Sequence, residues 1–145
     1  MSVYLNVVDT LEKALLEDIN VNTCTEGNID DLDLAKKTIY PLSHYIVTQV
    51  ENQEFVSIFT IDLRCLDILD INKEMTGDNE KFIFNTQLEV INKLFARLRN
   101  GELFSEEYQL VGNPTIEPVS DSYDNGLSGW AVIFNIQVSN DRCYK

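Results

Sequence analysis

The chain has 145 residues, of which 24 are acidic and 11 basic, giving a formal net charge of −13, and 44% are hydrophobic. That length fits one domain with one good core and is too short for two. No apolar run reaches the length of a membrane span, and so acidic a surface lacks the concentrated Lys and Arg needed to grip nucleic-acid phosphates. The acidity has two readings, ordinary solubility or a surface that must lie near DNA without sticking to it.

The N-terminus, Met1 to Asn6, has neither a basic start nor a small-residue cleavage site. It does not read as a secretion signal, and the chain is expected to be made in the cytoplasm. Ser2 to Ile19 reads as a helix, with Val8, Leu11, Leu15 and Ile19 at three- and four-residue spacing and Leu5, Val7 and Leu16 widening the stripe. Ser2 is the candidate cap. Asn20 to Lys37 is polar and acidic, with Gly27, Asp30, Asp31 and Asp33. It reads as an extended loop, or as a loop with one helical turn at Leu32–Lys36. Such length suggests a segment that acts outside the core. Gly27–Asp33 has no apolar face to bury, so its removal is expected to spare the fold and impair assembly.

Two strands follow. Leu42, His44, Ile46, Thr48 and Val50 alternate with Ser43, Tyr45, Val47 and Gln49, after a Pro41 that suits a strand start or edge. Beyond the polar turn Glu51–Glu54, Phe55 to Ile68 places Phe55, Phe59, Ile61, Leu63 and Cys65 on one face and Thr60, Asp62 and Arg64 on the other. The short link makes the pair an antiparallel hairpin.

After a polar loop, Asp70 to Asn79, comes the best helix, about Glu80 to Asn100. Phe84, Leu88, Ile91, Phe95 and Leu98 form its stripe, flanked by Phe82, Val90 and Leu94. Lys93, Arg97 and Arg99 favour the negative end of the helix dipole, and Gly101 is a natural stop. Burying the five stripe residues contributes on the order of 8–15 kcal/mol before chain entropy is subtracted. Only a sheet is large enough to receive them.

Tyr108–Val111 reads as a short strand leading through Gly112 and Pro114 to a loop, Ser120 to Gly126, whose Asp124-Asn125-Gly126 is a turn signal. Gly112 and Gly129 are candidate bulge positions. In the final strand, Gly129–Ser139, Trp130, Val132, Phe134, Ile136 and Val138 share one face, with Asn135 and Gln137 on the other. Trp130 is read as a core anchor rather than a binding residue. The whole is an α+β fold of two layers, a four-stranded antiparallel or mixed sheet with two helices packed on one face, in the order α-β-β-α-β-β. One domain spans residues 1–145, with a flexible acidic loop at about 20–37 and a short tail at 141–145.

Little in the chain points to chemistry. Cys24, Cys65 and Cys143 are odd in number and lack paired spacing, which argues against a disulfide framework or a zinc site. Cys65 reads as a small buried hydrophobe, Cys24 and Cys143 as loop and tail residues. His44 is the sole histidine, with no nucleophile elbow to serve. The acidic groups Asp30/Asp31/Asp33 and Asp67/Asp70 lack the glycine and glutamate spacing of a calcium loop, so they read as solvated. Asp62 and Arg64 can pair on one strand face, for about 0–1 kcal/mol, and are expected to face water or a neighbouring subunit. An enzyme would have to draw on His44, Tyr45, Asp62 and Arg64. No catalytic, cofactor or metal residue is assigned, and the chain is not read as an enzyme.

From about Ile39 to Asn140 these segments resemble the tail terminator or tail completion proteins of tailed bacteriophages, also called minor tail or neck proteins. The resemblance is carried by Tyr40-Pro41 before an edge strand, the long strand Phe55–Leu63, the helix Thr86–Leu98, the Leu110-Val111 strand, and Asp124–Trp130 opening the last strand. It implies a small α+β subunit of a ring, hexamer or dodecamer, that caps the tail tube or joins it to the head connector. DNA would pass the lumen without specific binding, and other neck, connector or tail-tube proteins would be the partners. The expected location is the virion. A negatively charged lumen would repel the DNA backbone and let it slide. The long acidic segment and the Asp141–Lys145 tail depart from the family pattern. The competing reading is a non-viral protein–protein interaction module without catalysis, binding by strand addition at the hairpin edge.

Overall fold

Two amphipathic helices and a set of alternating strands need one another to cover their apolar sides, and they meet in two layers. A computed structural model of the chain describes residues 3–27, 40–68, 76–103, 108–122 and 126–139. The elements are α1 (Val3–Leu16), β1 (Thr23–Glu26), β2 (Leu42–Asn52), β3 (Val56–Ile68), α2 (Thr76–Arg99), β4 (Tyr108–Val111), β5 (Ile116–Ser122) and β6 (Leu127–Ser139).

Among the described residues the sheet has six strands, not four, and the order is α-β-β-β-α-β-β-β. Its path runs β1-β2-β3-β6-β4, with β5 also on β6. β1 pairs with β2 in parallel and the other pairings are antiparallel, so the sheet is mixed. The expectation failed at two places for physical reasons. Thr23–Glu26 is only four residues of an acidic stretch, too short to display a two-residue period, and its pairing depends on a distant strand. Ile116–Ser122 contains Pro118, which argues against a strand anywhere except an edge, and β5 lies on that edge.

β4 and β5 lie along the same side of β6. Tyr108 is opposite Val138 and Ile116 is opposite Val132, so this side advances eight residues while β6 advances six. The two form one edge strand interrupted by a two-residue excess at Gly112–Thr115, where Gly112 has φ of 70°. Gly112 thus marks an irregularity, as its sequence position suggests.

The register fixes the faces. Phe59, Ile61, Leu63 and Cys65 of β3 stand opposite Ile136, Phe134, Val132 and Trp130 of β6. All eight lie toward the helices, which add Val7, Val8, Leu11, Ala14 and Leu15 from α1 and Val90, Ile91, Leu94, Phe95 and Leu98 from α2. Both helices therefore share one face, as expected. Phe95 meets Phe134 edge-on at 5.1 Å between ring centroids.

α1 stops at Leu16 rather than Ile19: Asp18 accepts a hydrogen bond from the Asn20 N–H at 2.9 Å, and Ile19 is 93% exposed. α2 starts at Thr76 rather than Glu80. Its buried side is centred on Ile83, Gln87, Val90, Ile91, Leu94, Phe95 and Leu98, while Phe84 and Leu88 are half-buried and Phe82 is 64% exposed. The helix ends as predicted. Gly101 takes φ of 73°, and the Glu102 N–H returns to the Arg97 carbonyl at 2.9 Å.

A second, smaller core of Tyr40, Leu42, Leu66 and Leu127, with Ile68 and Val119 against it, covers one end of the opposite sheet face. Gly129 sits between these cores with φ of 155°, and a Cβ there would stand 1.9 Å from the Cys65 carbonyl oxygen. It marks a close approach of β3 and β6. The predicted turn at Leu32–Lys36, the Ser2 cap, Asp124-Asn125 and the 141–145 tail lie outside the described residues.

Candidate interaction surface

The helices cover one sheet face, and the rest of the other face forms the candidate site. Alternation directs Ile58, Thr60, Asp62 and Arg64 of β3 and Ala131, Ile133, Asn135 and Gln137 of β6 to this side. Val111 and Glu117 join them through their pairing with Asn135 and Ala131. Ile133 is 62% exposed and Val111 is also exposed. Thr60 Oγ1 donates to Asn135 Oδ1 at 2.6 Å, tying the two central strands across this face. Asp62, Arg64, Thr115, Glu117, Ala131 and Ile133 border a shallow depression of about 300 Å3. Arg64 Nε lies 3.4 Å from Asp62 Oδ1, so the pair expected from sequence forms, on the side away from the helices.

His44 belongs to a structural knot. Its Nε2 lies 2.8 Å from the Gly27 carbonyl and its Nδ1 2.7 Å from Thr25 Oγ1. A carbonyl only accepts, so Nε2 carries the proton, and in the neutral ring Nδ1 accepts from the hydroxyl. The buried ring thereby fastens β1 to β2. The Gly27 N–H also donates to the Tyr45 carbonyl at 3.1 Å, so Gly27 is part of the sheet edge, unlike the free loop expected of Gly27–Asp33. The remainder of that segment, with Asp30, Asp31 and Asp33, lies outside the described residues.

Tyr45 points the other way, into the helix-side core, and its hydroxyl donates to Glu12 Oε1 at 2.5 Å. Burial and the neighbouring Glu12 carboxylate push the Tyr45 phenol far above its ordinary range. The four residues that an enzyme would have to draw on are thus split between opposite sides of the sheet. Cys65 is buried in the same core, 3.5 Å from Ser43 Oγ, and burial pushes its thiol up to about 12 against a smaller lowering by that hydrogen bond. Cys24, expected in a loop, is a half-buried member of β1, and burial followed by the charge of Glu12 pushes it to about 12 as well. Cys143 and Asp70 lie outside the described residues. Asp67 is raised by burial and drawn back by the Ile68 N–H at 2.8 Å. Among the described residues, no three His, Cys, Asp or Glu side chains group in a way that could hold a metal ion.

Trp130 is a core anchor, as read from sequence. Its Nε1 donates to the Phe84 carbonyl at 2.9 Å, and its ring lies 5.4 Å from that of Phe84. Nearby, Ser128 and Ser120 both donate to Glu80 Oε2, at 3.0 and 2.8 Å, which locks the start of α2 to β5 and β6. Sequence patterning missed this latch because serine alternation within a turn-rich segment carries no hydrophobic period.

Two further surface features stand out. At the hairpin between β2 and β3, Phe55 is 61% exposed and Val50 is also exposed, beside Glu51 and Glu54. Between the C-terminal end of α1 and the C-terminal half of α2 lies a cleft of about 310 Å3 that includes Leu15, Val90, Leu94, Lys93 and Arg97. No helix among the described residues is long and apolar enough to cross a membrane. No known family model matches this chain, and no curated protein matches it in sequence.

Proposed function

We propose that this chain is a non-catalytic assembly subunit of the tail terminator kind, forming a ring at the neck or tail of a phage virion through which DNA passes. The observation that supports it best is the one-sided architecture. One sheet face is sealed by both helices, while among the described residues the other presents Ile133 and Val111 amid polar side chains and carries no packed layer beyond the small core at one end. The resemblance supplies the ring, hexameric or dodecameric, and the neck, connector or tail-tube partners. The −13 charge suits a lumen that lets DNA slide without holding it. Light scattering and negative-stain imaging of the purified protein test this reading. Annular particles of six or twelve copies are the expected result, and a protein that stays monomeric at every concentration overturns it.

A second reading, an interaction module that binds by strand addition, is favoured by one feature. β1 covers the outer side of β2 only from Leu42 to Tyr45, and among the described residues no strand pairs there with Ile46–Asn52. A monomer that captures an extended peptide along this edge, with loss of amide exchange over Ile46–Asn52, would replace the ring reading.

A further inference from the structure

We propose that Asn100 is a spontaneous modification site, where the chain converts its own asparagine to aspartate and isoaspartate without an enzyme and so uncaps α2. Water is the sole co-reactant, and the proposal is independent of the assembly reading above.

The two reacting groups are neighbours in the chain. Among the described residues Asn100 is the sole asparagine followed by glycine, and both residues are exposed. Gly101 has no side chain to shield its amide nitrogen, and nothing lies within 4 Å of where a Cβ would stand. That nitrogen attacks Asn100 Cγ as its proton passes to hydroxide. The bond from Cγ to the side-chain nitrogen breaks, and ammonia leaves. Water then opens the resulting succinimide at one of its two carbonyls, giving aspartate or isoaspartate. One water enters and one ammonia departs, with no change of oxidation state.

The place in the helix decides that this asparagine reacts. The Asn100 N–H still donates to the Ala96 carbonyl at 3.0 Å, but the chain leaves the helix at Gly101, with φ of 73°. The Gly101 N–H reaches only the Leu98 carbonyl, at 3.3 Å, a long bond in an exposed last turn of the kind that frays. Asn92 is also exposed, yet Lys93 follows it inside α2, where the helical ladder holds the backbone away from the side chain. The product matters because the cap is built on this backbone. Isoaspartate inserts a methylene into the main chain between positions 100 and 101, which puts the Glu102 N–H out of step with the Arg97 carbonyl it bonds at 2.9 Å. Either product also adds a carboxylate at the negative end of the helix dipole.

The test ages the folded full chain at mildly alkaline pH and samples it over days by Glu-specific digestion and mass spectrometry. Cleavage after Glu89 and Glu102 releases Val90–Glu102, which carries Asn92 and Asn100 together and leaves Asn125 on another peptide. Position 100 should convert, at a rate that rises with hydroxide, while Asn92 stays intact. Asn100→Gln, which would have to close a larger ring, should lose the acidic form of this peptide while thermal melts stay as in the wild type. In the isoaspartate fraction, amide exchange at Glu102 should lose its protection. If Asn100 survives as long as Asn92, or if the acidic form persists in Asn100→Gln, the proposal is overturned. Conversion with unchanged protection at Glu102 overturns the uncapping.

Discussion

Single residues set the tolerances of this fold, and Gly129 sets the tightest. A methyl group there would overlap the Cys65 carbonyl and also force an alanine into φ of 155°. Gly129→Ala is therefore expected to cost on the order of 3 kcal/mol, read as a lowered urea midpoint. Trp130→Phe should be milder, about 1 kcal/mol, because the ring contact with Phe84 is kept and only the hydrogen bond to the Phe84 carbonyl is lost. Tyr45, Cys65 and Cys24 couple stability to pH. All three ionise later in the folded chain than in the unfolded one. Their contribution is intact below the ordinary thiol range, about pH 8.5, and drains away as pH climbs toward their folded values. Urea melts should show stability falling from about pH 9 upward, and Tyr45→Phe should flatten the upper part of that decline. A wild-type profile flat to pH 11 would contradict this assignment.

At the scale of elements, β1 is held by few contacts and is the one to peel first. Thr25→Val would leave His44 Nδ1 buried without its hydroxyl partner, a loss of about 1–3 kcal/mol. Hydrogen exchange should then show Thr23–Glu26 opening while β3 and β6 keep their protection. This strand also marks the limit of what periodicity can reveal. α1, α2, the β2–β3 hairpin and β6 were legible because each repeats an apolar spacing over ten or more residues, long enough for burial to impose a period. β1 and β5 were not, since four residues beside acidic neighbours and seven residues around Pro118 carry no such imprint. The buried side of α2 was legible only to within a rotation: Gln87 is fully buried while the more apolar Phe82 faces water. Of the interaction surface, the Asp62–Arg64 pair and its direction could be read from alternation. The Phe55 tip could not, because sequence placed that ring on the apolar face of its strand.

For the molecule as a whole, β6 is the keystone. It pairs with β3 along its full length on one side and with β4 and β5 on the other, so three of the other five described strands depend on it directly. A chain stopped at residue 126 is expected to show no cooperative melt by circular dichroism, since α2 would lose Trp130, Phe134 and most of its seat. The opposite tolerance exists at the rim. Where β4 passes into β5, two residues more than the ladder can use are already accommodated, in an exposed stretch around Asn113. A short epitope grafted after Asn113 would lengthen an existing slack rather than interrupt a pairing. Every subunit of an assembled particle would then carry one label at an equivalent position, and copies could be counted by bound antibody fragments.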